Sequence, residues 1–422
     1  MKATIFKRLV LTAVIGLLYS PLSLRAYSVL THEAIVDASW EKSIQPLLKQ
    51  KYPGVTDSAL MTAHAYAYGG AIAPDMGYFP FGSKFFTNLV HYVRSGDFVT
   101  VLLDEAEDVN EYAFALGFLC HYMADKYGHF IGINHAVPIV YPKMMQKYGN
   151  VVTYEEDKIS HRRMEFAFDV LQTAKGNYAT KAYHDFIGFQ VSRPLLERAF
   201  SKTYGLDINE VFGNLSLAIE TFRWSVNSLF PALTRAAWVI KKKEILKLQP
   251  TATSRSFRYK MNRTNYYQEY GKKHRNPGVL ANAFSWVIRV LPKVGPLKSL
   301  KIKEPGAEAE KLFINSFDTV LVNCASTMKI LRSRNIQFTN IDFDTGKTTA
   351  PGEYQMADDN YGKLVIKLNE KKFDLLNAGL KQNIIKFYSD VNATNAMQKD
   401  TKQWLKITSA LEELKIAQPN NF

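Results

Sequence analysis

Cysteine is scarce, with two in 422 residues, Cys120 and Cys324. Two thiols that far apart define no disulfide framework, which excludes the small cross-linked scaffolds of secreted domains. Long apolar runs are missing too: beyond the N-terminus no stretch reaches the ~18 residues of a membrane-spanning helix. The run at 9–18 (LVLTAVIGLL) is too short to span a bilayer, and Lys2, Lys7 and Arg8 precede it. That order reads as a secretory signal over 1–26, cleaved after Ala26 to leave Tyr27 as the new N-terminus. The mature protein is therefore expected to be secreted or periplasmic, with a retained N-terminal anchor as the alternative. Internal repeats and low-complexity tracts are also absent.

Acid is missing from one place in particular. Between Arg235 and Lys303 stand seventeen Lys or Arg against two acids, Glu244 and Glu269. The formal net charge of +14 is thus a patch, not a uniform background. Aromatics are interleaved in it (Trp238, Phe257, Tyr259, Tyr266, Tyr267, Tyr270). An anionic membrane surface or a nucleic acid suits such a segment, and a solvated basic loop is the bland alternative.

Histidine is nearly absent from the second half of the chain. Eight of the nine lie between His32 and His184, and only His274 falls later. The densest stretch is His121-Tyr122-Met123-Ala124-Asp125-Lys126-Tyr127-Gly128-His129. A helix turns about 100° per residue, so His121, Asp125 and His129 share one face. Burying such groups without partners costs about 1–3 kcal/mol each, and a divalent metal would supply the partner. A surface Asp–His pair is the alternative for this motif taken alone. Cys120 points about 100° away from the polar face and reads as a packed core thiol.

Helical spacing recurs along the chain. A first helix over 31–48 presents His32, with Thr31 as its cap, and a second runs from 57 to 68 and ends at Gly69-Gly70. In the loop 70–77, Pro74 and Gly77 hold Asp75 outside regular structure. A short segment, 85–93, carries His91, helices follow at 98–109 and 111–130, and 134–148 is looser. A helix at 155–174 places His161 and Glu165 on one face, a second pair with metal-ligand spacing. The pattern stays mostly helical over 206–245 and 280–290, 336–343 reads as an extended connector, and 353–383 and 396–416 return to helix. Among the other polar residues, His64 reads as packed or surface, His135 as supporting a ligand, and Glu155 and Glu156 as capping the helix of His161. Asp342 and Asp344 form a lone DxD in a loop and are assigned no metal.

Collected in order, the candidate ligands are His32, Asp75, His91, His121, Asp125, His129, His161 and Glu165. This order and spacing resembles the bacterial zinc-dependent phospholipases C and, more distantly, the fungal single-strand-specific zinc nucleases of the same helical fold. The resemblance covers about residues 27–185. It implies an all-α, multi-helix bundle holding about three zinc ions per chain. His91 and His121 resemble ligands of one ion, joined by Asp75, which also resembles the catalytic base. Asp125 would bridge to a second ion held by His32 and by the mature N-terminus, where the family has Trp and this chain has Tyr27. His129, His161 and Glu165 look like the ligands of the third ion.

The expected layout is a signal peptide at 1–26, a catalytic domain at 27–234, the basic segment at 235–303 and a mainly helical C-terminal region at 304–422. The leading expectation is a secreted zinc-dependent phospholipase C acting on glycerophospholipids, with 235–303 docking on anionic lipid. A zinc nuclease or nucleotidase is the alternative, that segment then holding a phosphate backbone. A non-catalytic membrane-binding protein with structural zinc is a third reading.

Overall fold

In a computed structural model of the chain, which describes residues 29–175, 189–226, 303–389 and 401–420, helix follows helix and no strand forms among the described residues. A lone β-bridge pairs Ile341 with Thr348. The first part runs α1 (Val29–Ser39), α2 (Gln45–Lys51), α3 (Asp57–Ile72), α4 (Lys84–Tyr92), α5 (Ser95–Asp104) and α6 (Val109–Tyr127). It continues with α7 (Asn134–Val140), α8 (Pro142–Tyr148), α9 (Lys158–Lys175), α10 (Arg193–Tyr204), α11 (Ile208–Phe212) and α12 (Leu215–Trp224). Beyond the basic segment come α13 (Gly306–Leu331), α14 (Gln355–Glu370), α15 (Ala378–Phe387) and α16 (Thr401–Ile416). No helix among the described residues is long and apolar enough to cross a membrane. The expected signal peptide, Tyr27 and all of the basic segment except Lys303 lie outside the described residues.

The central helix is α6. Asp108 opens it, its carboxylate accepting from the backbone of Asn110 and Glu111 at 2.8 Å each, which satisfies two of the donors a helix start leaves unpaired. Every residue from Glu111 to Asp125 is buried. A helix covered on all sides must have neighbours all round, and α1, α3, α5 and α13 pack on it.

The closest neighbour is α3, and glycines set the distance. A Cβ on Gly70 would fall 1.9 Å from the Phe114 carbonyl, and one on Gly117 would fall 1.9 Å from that of Ala67. The two backbones therefore touch where only hydrogen fits. Gly69-Gly70 does not end α3 as the sequence pattern suggests; the helix continues to Ile72, because the glycines are used for this approach. A 3-10 turn, Ala73–Tyr78, then replaces the expected open loop.

Two other boundaries differ from expectation for local reasons. The helix carrying His161 is capped by Asp157, which accepts from Ser160 N at 2.6 Å, while Glu156 instead accepts from Thr153. Thr31 lies inside α1 and donates its hydroxyl to Asp169 at 2.6 Å; the same carboxylate accepts from Leu30 N. Asp169 of α9 thus holds the start of α1.

Residues after 303 complete the same core. Phe313 stacks on Phe168 with ring centroids 4.5 Å apart, and Val320, Cys324 and Met328 pack with the residues of α3 and α6. The buried thiols of Cys120 and Cys324 meet across the α6–α13 contact. Farther along, α14 lies against α4.

Gly117→Ala is expected to destabilise the protein by about 1–3 kcal/mol, even though Ala favours helix, because the methyl group must push α3 away. Denaturant unfolding of the variant checks this, and an unchanged midpoint would show that the approach is not tight.

Candidate metal centre

Three helices and one turn aim their polar side chains at the space beside α6. His121, fully buried, sits one turn beyond Gly117, close enough to α3 for its Nδ1 to donate to Ala71 O at 2.8 Å. From α4, His91 donates Nδ1 to Thr87 O at 2.8 Å. At the end of α6 the backbone widens into a π-helical segment, Gly128–Ile133, and His129 donates Nδ1 to Phe343 O at 3.1 Å. A carbonyl can only accept, so in all three rings the proton sits on Nδ1. In the neutral ring Nε2 then carries a lone pair facing inward. Those of His91 and His121 face each other at 3.4 Å.

Carboxylates fill the gaps. The turn bearing Asp75 is pinned to α4 by Thr87, whose hydroxyl donates to Pro74 O at 2.7 Å and accepts from Gly77 N at 2.9 Å. This sets Asp75 Oδ1 3.4 Å from His91 Nε2. Asp125 occupies the middle. Its Oδ2 is 3.1 Å from His121 Nε2 and 3.5 Å from His91 Nε2, and its Oδ1 is 3.5 Å from His32 Nε2 and 3.9 Å from His129 Nε2. On the far side, Glu165 Oε1 lies 3.1 Å from His161 Nε2 and 3.3 Å from His129 Nε2. The His32 ring stacks on that of His121, with centroids 4.2 Å apart.

The described ligand atoms fall into three buried groups, each within 4.8 Å: His32, His121 and Asp125; Asp75, His91 and His121; His129, His161 and Glu165. Asp75 Oδ1, both Asp125 oxygens, both His161 nitrogens and Glu165 Oε1 are buried without a well-formed hydrogen bond among the described residues. Leaving such atoms unpaired is costly, and opposed lone pairs add repulsion. Cations would relieve both. Imidazole nitrogens and carboxylate oxygens are the donor set zinc accepts, so these residues fit zinc.

Without a cation the cluster is electrostatically frustrated. Burial, helped by His121, holds His32 well below the usual imidazole range, and burial also lowers His91. Burial opposes charge on His129 too, yet Asp125, Asp344 and Glu165 hold it well above that range. Burial drives Asp75 well above the carboxylate range, whereas Asp125, as deeply buried, is pulled far down by His121 and His129.

Of the nine ligand positions read from sequence, eight converge here, and Tyr27 lies outside the described residues. His64 is placed elsewhere, stacked on Trp40 and 3.0 Å from Asp37. The support expected from His135 comes instead from its neighbour Asn134, which donates to Asp344 O at 2.6 Å. Phe343 and Asp344 were not legible as contributors to the site. Their only local signal is an Asp-Phe-Asp before Thr-Gly, and nothing in that pattern says which helix the loop will reach.

His129 and Asp75 hold protons more tightly than usual, and a metal ligand must give its proton up. Loading zinc at neutral pH is therefore expected to release protons, and zinc affinity is expected to fall as the pH is lowered. Titration calorimetry in buffers of different ionisation enthalpy checks the first point, and an enthalpy independent of the buffer would refute it.

Residues 31–214 match the family model described as zinc dependent phospholipase C. No curated protein and no solved structure matches the chain. All eight described ligand residues fall inside the matched span, and Phe343 and Asp344 fall outside it. Over residues 31–214, less than half of its length, the chain is similar to the zinc-dependent phospholipase C family.

Proposed function

We propose that this protein is an exported zinc-dependent phospholipase C that hydrolyses the phosphodiester of glycerophospholipids at a three-zinc centre. The observation that carries the reading is the set of three buried ligand groups that meet at Asp125 inside the matched domain. One ion would be held by Asp75, His91 and His121, and a second by His32 and the mature N-terminus at Tyr27, with Asp125 bridging the two. The third would be held by His129, His161 and Glu165. Zinc bound there supplies Lewis acidity for the phosphoryl oxygens and lowers the pKa of a nucleophilic water.

The chain's own residues do the rest. Asp75 orients the attacking water and takes its proton. As the water oxygen attacks phosphorus, the P–O bond to the diacylglycerol oxygen breaks; that alkoxide takes up the proton received by Asp75 and leaves as diacylglycerol, and the phosphorylated head group is the second product. The pinned turn at Ala73–Tyr78 keeps the carboxylate in place through this step.

Export rests on the basic and apolar start of the chain, 1–26. Docking on anionic lipid rests on the charge of 235–303. Each Lys or Arg near such a surface contributes about 1 kcal/mol.

The test is hydrolysis by the mature protein, with zinc measured on the same sample, against a phosphocholine ester, phospholipid vesicles and single-stranded DNA. Release of phosphorylated head group by protein with three zinc ions per chain supports the proposal. Cleavage of DNA alone would move the chain to nuclease chemistry, and zinc without hydrolysis of any substrate would make the metal structural. Asp75→Asn is expected to lower kcat about 10²–10⁴-fold, and zinc measured on the same sample separates loss of the base from loss of an ion. Asp125→Asn should lose more than one ion, and a full complement in that variant would remove the bridge.

A further inference from the structure

The ligand His129 is held from outside the matched domain. Residues 338–342 lie along α5 and α6 as an extended strap that ends in a turn at 343–345. Ile341 exchanges hydrogen bonds with the Ser95 hydroxyl, at 3.0 and 2.6 Å, and the Thr339 carbonyl accepts from Tyr122 OH at 2.9 Å. The strap passes Gly96 so closely that a Cβ there would be 2.3 Å from Thr339 O. It then crosses the metal centre. Phe343 N donates to His91 O at 3.1 Å, its carbonyl accepts from His129 Nδ1, and its buried ring lies against His91 and His121.

Asp344 follows, a carboxylate 2% exposed. Its Oδ1 is 3.5 Å from His129 Nδ1. Its Oδ2 accepts from Tyr92 OH at 3.1 Å and from Tyr354 OH. Two hydroxyls and the Asn134 amide therefore fix the residue, and one carboxylate oxygen is left to face the imidazole. We propose that Asp344 is a positioning residue of the metal centre: it orients His129 and strengthens it as a ligand through Nδ1, so that the C-terminal region completes a site whose described ligands all lie in the matched span.

The Phe343 carbonyl fixes which nitrogen of His129 faces the metal, and a carboxylate on the same Nδ1 side holds the ring and makes the opposite nitrogen a better donor. Asp344 has no place in the three ligand groups themselves. Its neighbour Asp342 gives a control. That carboxylate turns away to accept from Thr345 N at 2.7 Å and shapes the same turn without touching His129.

This inference rests on the metal-site reading, and one experiment separates the two. Zinc stoichiometry and affinity are measured by competition with a chelator for the full mature chain, for Asp344→Asn and for Asp342→Asn, together with the visible spectra of the cobalt-substituted proteins. Asp344→Asn is expected to weaken one ion about 10–100-fold and to change one cobalt band, whereas Asp342→Asn keeps both parental. A parent chain that binds no zinc overturns the site reading and this inference with it. Parental affinity and spectrum in Asp344→Asn overturn this inference alone, as does equal weakening in Asp342→Asn, which would make the loss one of loop folding. Should Asp344→Asn not fold, Tyr354→Phe removes one hydroxyl from the same carboxylate. It is expected to weaken the same ion about fivefold, and unchanged affinity there also overturns the proposal.

Discussion

Asp125 carries a carboxylate with no exposure to water, and the Nε2 atoms of His32, His91, His121 and His129 approach it within 3.1–3.9 Å. A charge buried that deeply is tolerated only when partners compensate it. Four imidazoles from α1, α4, α6 and the π-helical segment supply part of the compensation, and cations between them would supply the rest. The helices must therefore stop where they do. If α1 or α4 moved by one residue along its axis, about 1.5 Å, a ring would leave the cluster and the carboxylate would lose a partner. The close packing of Gly70 and Gly117 matters for the same reason, since it sets how far His121 stands from the wall made by α3.

What could be read from sequence follows from the range of the interactions. His121 with Asp125, and His161 with Glu165, are one helical turn apart, so a period of 3.6 residues reveals them directly. Asp75 was legible because Pro74 and Gly77 mark its turn. Elsewhere the same local rules misled: Gly69-Gly70 looked like a helix end because glycine is a poor helix former, yet tertiary contact decided its use. The π-helical widening at Gly128–Ile133 left no local mark either. It lets His129 reach toward Glu165 while its Nδ1 meets a carbonyl more than two hundred residues later.

The support for the ligands follows one pattern with three sources. Ala71, Thr87 and Phe343 each offer a backbone carbonyl to a histidine Nδ1. The first two carbonyls belong to helices already inside the matched domain: Thr87 is one turn before its own histidine, and Ala71 is on the packed neighbour α3. The third comes from the strap beyond α13. A carbonyl is a suitable partner because it cannot donate. It forces the tautomer whose Nε2 is free for a metal, and backbone is held more firmly than a side chain.

The dependence of His129 on the strap has a consequence for how the chain is divided. The matched span ends at 214, yet the carbonyl and carboxylate behind one candidate ligand come from 343 and 344, and the Phe343 ring lies against those of His91 and His121. Phe313 on Phe168 ties the same C-terminal region to α9, the helix that carries His161 and Glu165. Both sides of the third ligand group are thus braced by residues after 303. A fragment ending at 214 would keep every candidate ligand and lose that bracing, so the list of candidate ligands alone does not specify the centre. The fold must deliver, with the ligands, the acceptors that decide which nitrogen each histidine presents.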